Sequence, residues 1–342
     1  MDNYNYTYTY DNRNSDEMMR RAMYYQAKAK QEKKEIRKLG SIMGIALTAY
    51  IAFQFLSVSL LEMFDLMDVY EKSVLFQDSF TIIAVEIVAL CIPFGLMALL
   101  NRKKYITPIV PSKKIKMSTF LLWVGFGMLC CVGADYVVGV LSAISDAAGF
   151  SLEQPEMLEP DSWYACVLSV LATAVIPPVC EEFAMRCCGV GLLRKYGKGF
   201  AVTAVAMIFG LVHGNIVQFI FASLVGVILG YVTVKTDSIL PAIFIHAFNN
   251  GMSVVVDVMN FALGKNVDEY MSAVLFIFWI VFGIICTVIL FMKKEFREPS
   301  KPQREPFANS FGRKLAAFFV SPGMIVPFLF FFVSIISTIS KN

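Results

Sequence analysis

The stretch MSAVLFIFWIVFGIICTVILFM, Met271 to Met292, carries no charged side chain from end to end. At about 1.5 Å of rise per residue, a helix of this length crosses the roughly 30 Å of hydrocarbon in a bilayer. Working outward from it, further apolar blocks run from Ser41 to Phe64, Phe80 to Leu100, Thr119 to Ile144, Trp163 to about Leu193, Phe200 to Val212, Ile216 to Val234 and Ile239 to Met259. A last block, Leu315 to Ile339, is interrupted by Ser321-Pro322-Gly323 and Pro327. These predict an all-α, polytopic transmembrane helical bundle of eight to nine spans. The composition agrees: 57% of the 342 residues are hydrophobic and 17% charged, with a mean hydropathy of +0.62. The apolar residues come in unbroken blocks rather than in the stripe of a soluble amphipathic helix.

Basic residues mark the cytoplasmic ends of membrane spans. Lys28 to Lys38, Arg102 to Lys116, Arg194 with Lys195, Lys235, and Lys293 to Lys314 fall on alternate connections. The other connections carry Asp65, Asp68, Glu71 and Asp78, then Glu153, Glu156, Glu159 and Asp161, then Asp268 and Glu269. With nine crossings this sets the amino terminus in the cytoplasm and the carboxyl terminus outside. The net charge of +3 follows from that pattern, and no nucleic acid partner is expected.

Four regions are expected. Residues 1–40 form a cytoplasmic tail, disordered over Met1 to Asn14, where Tyr, Asn and Asp prevail, and helical from Met18 to Leu39, where Lys and Ala prevail. The basic helix suits anionic lipid headgroups. Residues 41–145 hold the amino-terminal spans, 163–259 a transmembrane core that contains both histidines of the chain, and 270–342 the carboxyl-terminal spans. About 40 polar residues precede the first apolar block, so no cleavable secretory signal is read.

Only two histidines occur, His213 and His246. Each lies in an apolar stretch with a companion four residues away: Phe209-Gly-Leu-Val-His213 and His246-Ala-Phe-Asn-Asn250. A third stretch carries Cys180-Glu181-Glu182-Phe-Ala-Met-Arg186. Ionisable groups at membrane depth are costly, so they are rare and mark function. Counted from the basic span ends, Glu181 lies about 20 Å deep, His213 about 20 Å and His246 about 15 Å. Three helices thus bring ionisable groups to one level.

A carboxylate in such a place can act as general base toward water, with an imidazole sharing the proton; Glu181 and His213 are the candidates. A second imidazole and an amide one helical turn apart can both donate to an oxyanion formed when water attacks a carbonyl; His246 and Asn250 meet that need. Glu182 and Arg186, four apart in the acid-before-base order, read as an internal ion pair that orients Glu181. Phe209 reads as packing on the ring of His213.

The ordered trio Glu-Glu-x-x-x-Arg, Phe-x-x-x-His and His-x-x-x-Asn resembles the CAAX-prenyl-protease and bacteriocin-processing (Abi) family of intramembrane endopeptidases. The resemblance covers about Trp163 to Met259. It implies that Glu181 and His213 activate water and that His246 and Asn250 stabilise the oxyanion. It also implies peptide-bond hydrolysis in a lipidated protein or hydrophobic peptide, with membrane lipid around the site.

Glu181, His213 and His246 are also a three-ligand set for zinc with one open position. The chain lacks a His-Glu-x-x-His pair on one helix, so no cofactor is the favoured reading and zinc the alternative. Eight cysteines lie almost wholly inside the spans and read as small buried hydrophobes; a thiolate metal site at Cys180, Cys187 and Cys188 is the lesser alternative. Glu86 and Asp135 match no motif and are left outside the site. Pro177-Pro178 remove helix hydrogen bonds one turn before Glu181, which opens room for water or simply kinks the helix. Two other classes remain open at this stage. One is a non-catalytic membrane scaffold or immunity protein, the other a proton- or cation-coupled transporter using the same acid and imidazoles. No internal repeat of the kind many transporters carry is present.

Overall fold

The computed structural model describes residues 12–101, 115–152, 158–264, 266–297 and 308–341. The tail residues up to 11, the basic loop that follows Asn101, and Glu153 and Glu156 lie outside the described residues, as does part of the run from Lys293 to Lys314.

Helix α1 (Asn12–Met63) is continuous and carries the basic segment straight into the first span. A short helix, Met67–Lys72, follows. The further spans are α2 (Val74–Asn101), α3 (Met117–Ala147) and α4 (Trp163–Tyr196). Then come the short α5 (Lys198–Leu211) and three more spans, α6 (Ile216–Thr236), α7 (Leu240–Leu263) and α8 (Asp268–Met292). Helices α9 (Phe311–Phe319) and α10 (Pro322–Ser337) meet at a bend of 83°. Among the described residues seven helices are long and apolar enough to cross a membrane, or eight with the bent pair counted as one span. The chain is an integral, multi-pass membrane protein. The remaining expected segment is α5, whose 14 residues give about 21 Å of helix. It forms a hairpin with α6.

Side-chain exposure follows helical periodicity. On α8, Ile277, Val281, Ile284 and Val288 stand exposed at spacings of three and four, while Trp279, Gly283, Cys286 and Leu290 are buried. An exposed apolar stripe of this length belongs against lipid. The buried faces build two apolar clusters. One gathers α1, α2, α4, α5 and α9 around Met43, Phe94, Met185, Phe209 and Phe318. The other gathers α3, α6, α7 and α8 around Trp123, Met128, Leu229, Ile245 and Leu290.

Small residues set the closest approaches. A Cβ on Gly226 of α6 would stand 3.0 Å from Cα of Ala206 on α5 and 3.2 Å from the ring of Phe209. Without a side chain there, the two helices pack backbone to backbone, as small residues allow in membranes. Arg194, near the end of α4, pairs with Asp237 just after α6 at 3.1 Å.

A two-stranded antiparallel pair, β1 (Phe150–Leu152) with β2 (Ile339–Lys341), links the segment after α3 to the segment after α10. Two polar anchors hold the opposite side. Glu32 of α1 accepts from the backbone N–H of Ala308 and Asn309 at 2.9 and 3.0 Å, and Lys314 of α9 reaches Glu32 at 3.3 Å and donates to the Tyr196 carbonyl at 2.6 Å.

Candidate active site

Helix α4 does not wind evenly. Val170–Val175 and Phe183–Val190 are π-helical, and Ile176–Glu182 between them is α-helical, with its prolines at the first turn. The wide turn absorbs the hydrogen bonds that Pro177 and Pro178 cannot make, so the span continues through them. The acidic doublet follows at once. Such wide turns occur often at functional sites.

Glu182 and Arg186 form the ion pair read from their spacing, Oε2 to Nε 3.0 Å, both side chains essentially without solvent contact. The pair does more than brace its own helix. The other carboxylate oxygen of Glu182 accepts from Nδ1 of His246 on α7 at 3.1 Å. Nε2 of that ring then faces Oε2 of Glu181 at 3.7 Å, a charge contact longer than a hydrogen bond. The guanidinium of Arg186 lies over the Phe209 ring at 4.9 Å, within cation–π reach. Phe209 meets the ring of His213 at 5.1 Å between centroids and that of His246 at 5.7 Å, both nearly edge-on. One phenyl ring therefore separates and braces the two imidazoles.

His213 sits in the turn after α5. The following Gly214 has φ +72°, a conformation that glycine adopts without strain; its carbonyl accepts from Ser334 of α10 at 2.9 Å, and the Asn215 side chain caps α6 through the N–H of Gln218 at 2.8 Å. Nδ1 of His213 is 2.7 Å from the Phe209 carbonyl. A carbonyl only accepts, so that nitrogen carries the proton and Nε2 of the neutral ring is an acceptor. His213 and Glu181 both line one cavity of about 170 Å³, shared with Tyr50, Glu86, Leu90, Met185, Phe209 and Val212.

Asn250, one turn beyond His246, donates to the Thr173 carbonyl in the first wide turn of α4 at 3.2 Å and lies beside Asn249. It does not line the cavity of Glu181. The structure thus brings Glu181, His213, His246, Glu182, Arg186 and Phe209 into one contiguous set, with Asn250 at its border on a protein acceptor.

Two polar residues left outside the site by sequence reading line its cavity: Glu86 of α2 and Tyr50 of α1. Their signal was present for Glu86, an acid in the apolar run Ile-Ala-Val-Glu-Ile-Val, but no motif linked it to the doublet on α4. Asp135 lines a separate cavity of about 270 Å³ between α3, α7 and α8, with Asn249, Ser253 and Ser272.

Residues 162–252 match the family described as Rce1-like, type II CAAX prenyl endopeptidase. The family read from the three motifs is the one that matches, and every motif residue falls within the Rce1-like segment. That description is of a protease. No curated protein and no solved structure matches the chain.

The zinc reading does not fit these side chains. No group of three or more His, Cys, Asp or Glu among the described residues, Glu181, His213 and His246 included, is arranged to hold an ion. Cys180, Cys187 and Cys188 form no such group either.

Proposed function

We propose that the protein is an intramembrane endopeptidase that hydrolyses a peptide bond in a prenylated or otherwise hydrophobic protein, using water activated by glutamate. The carrying observation is the shared cavity: Glu181 and His213, whose Nε2 is the accepting nitrogen of its ring, line one small space inside an apolar bundle. A water there offers one hydrogen to each. As its oxygen attacks the scissile carbonyl, Glu181 takes a proton. His246 is held from behind by Glu182, itself held by Arg186, and it presents its other nitrogen on the side of Glu181. Through that nitrogen its ring donates to the oxyanion. Asn250, released from Thr173 by the incoming substrate, supplies the second donor.

A scaffold places no requirement on an accepting histidine in one cavity with a carboxylate, and the transporter reading, which would use the same two groups, has no counterpart to the family match over residues 162–252. The test is hydrolysis of a farnesylated CAAX peptide by the purified protein in lipid vesicles. Glu181→Gln is expected to lower the rate at least about a hundredfold while leaving the amount of folded protein unchanged. Cleavage by Glu181→Gln at the unaltered rate sinks the assignment.

A further inference from the structure

The cavity holds a second acid. Glu86 is only 7% exposed, on a stretch otherwise apolar from Ile82 to Leu90. Its Oε2 is buried and lacks a hydrogen-bond partner among the described residues, and so does Oε2 of Glu181. Both carboxyls line the same 170 Å³ cavity, and no lysine or arginine lines it with them. The other polar groups there are the hydroxyl of Tyr50, which accepts from Gln54 at 2.8 Å, and His213. Local winding singles out the same residue: Glu86 is the middle of the eleven-residue π-helical stretch Thr81–Cys91, and wide turns gather at functional sites.

A carboxyl buried for packing in a membrane finds a partner on a neighbouring helix. Glu86 instead faces another carboxyl across a space sized for a few waters. Two acids in such a space, with no lysine or arginine lining it and the His246 imidazole 3.7 Å from Glu181 alone of the two, are least costly when they hold one proton between them, which makes Glu181 the base and Glu86 the acid. We propose that Glu86 is the general acid of the reaction, delivering its proton to the leaving amine. This rests on the protease reading and adds a catalytic residue that lies outside the Rce1-like segment.

The protons balance. Glu181 begins ionised and Glu86 protonated. Water gives a proton to Glu181 and its oxygen bonds to the carbonyl carbon, leaving a tetrahedral oxyanion. Glu86 then gives its proton to the nitrogen, the C–N bond breaks with its electron pair going to nitrogen, and the oxyanion collapses to the new carboxylic acid. Glu181 now holds a proton and Glu86 is ionised. Passage of that proton across the cavity restores the starting state.

A leaving amine needs this proton far more than a leaving alcohol does. The experiment compares a farnesylated peptide with the same molecule carrying an ester at the scissile bond, in wild type, Glu86→Gln, Glu86→Asp and Glu181→Gln. Glu86→Gln is expected to lower kcat on the amide by about a hundredfold or more with KM little changed, and to hydrolyse the ester within about tenfold of wild type. Glu181→Gln is expected to lose both. If Glu86→Gln fails to accumulate in folded form, Glu86→Asp gives the reading, since its withdrawn carboxyl slows the amide selectively. Equal slowing of amide and ester, or unaltered kcat on the amide, overturns the role of Glu86 while leaving the protease intact. A wild-type protein inert on both substrates removes the protease reading itself.

Discussion

The charge chain Arg186, Glu182, His246 shows what one residue does when it is fixed on two sides. Breaking a buried ion pair from one end leaves an uncompensated charge and costs about 3–5 kcal/mol, whereas replacing both ends by apolar groups is often neutral. Arg186→Met is therefore expected to lower thermal stability in detergent strongly, and Glu182→Met/Arg186→Met to regain most of the loss. Activity should separate from stability in that double variant: with Glu182 gone, Nδ1 of His246 has no anchor and peptide hydrolysis stays low. A double variant as active as wild type would show that the anchor does not matter to the chemistry. The spacing of Glu182 and Arg186 already disclosed their pairing, because both lie on one helix. The bond from Glu182 to His246 joins positions 64 apart, and no local period encodes it. For the same reason Glu86 and Tyr50 stayed outside the site: each is an isolated polar group whose neighbours come from other helices.

At the scale of elements, apolar block length located the spans because lipid forces each crossing to satisfy its own backbone. What the blocks could not disclose is how the helices wind and bend. The wide turns in α2 and α4, the 83° bend between α9 and α10 and the β1–β2 pair all depend on packing between distant segments. The α5–α6 hairpin carries a consequence for the site. Gly226 touches both the α5 backbone and the Phe209 ring that braces the imidazoles. Gly226→Val is expected to push the helices apart, cost about 1–3 kcal/mol of stability, and reduce activity through displacement of Phe209. Thermal unfolding and hydrolysis measured on one preparation check this; unchanged values for both would mean that the contact is slack. Gly199, which has open space around it, serves as the control, since valine there should leave both quantities near wild type.

For the whole molecule, sidedness joins the sequence pattern to the fold. Basic connections set the amino terminus in the cytoplasm, and the orientation is our proposal. An independent constraint comes from the sheet. β1 follows the third span counted from the amino terminus, and β2 pairs with it, so residues 339–341 share a side with residues 150–152. Three crossings separate that side from the start of α1. The carboxyl-terminal strand therefore lies across the membrane from the basic helix, the relation that nine alternating crossings give and that the eight helices counted by length give only when the short α5 crosses as well. Single cysteines introduced at Glu17, Ser151 and Ser340 read this directly. In sealed cells a membrane-impermeant thiol reagent is expected to label Ser151→Cys and Ser340→Cys but not Glu17→Cys, and permeabilisation should expose Glu17→Cys. Labelling of Glu17→Cys in sealed cells would invert the orientation while leaving the fold in place. Labelling of Ser151→Cys without Ser340→Cys would break the strand pairing, and with it the argument that the last, bent pair of helices carries the chain across.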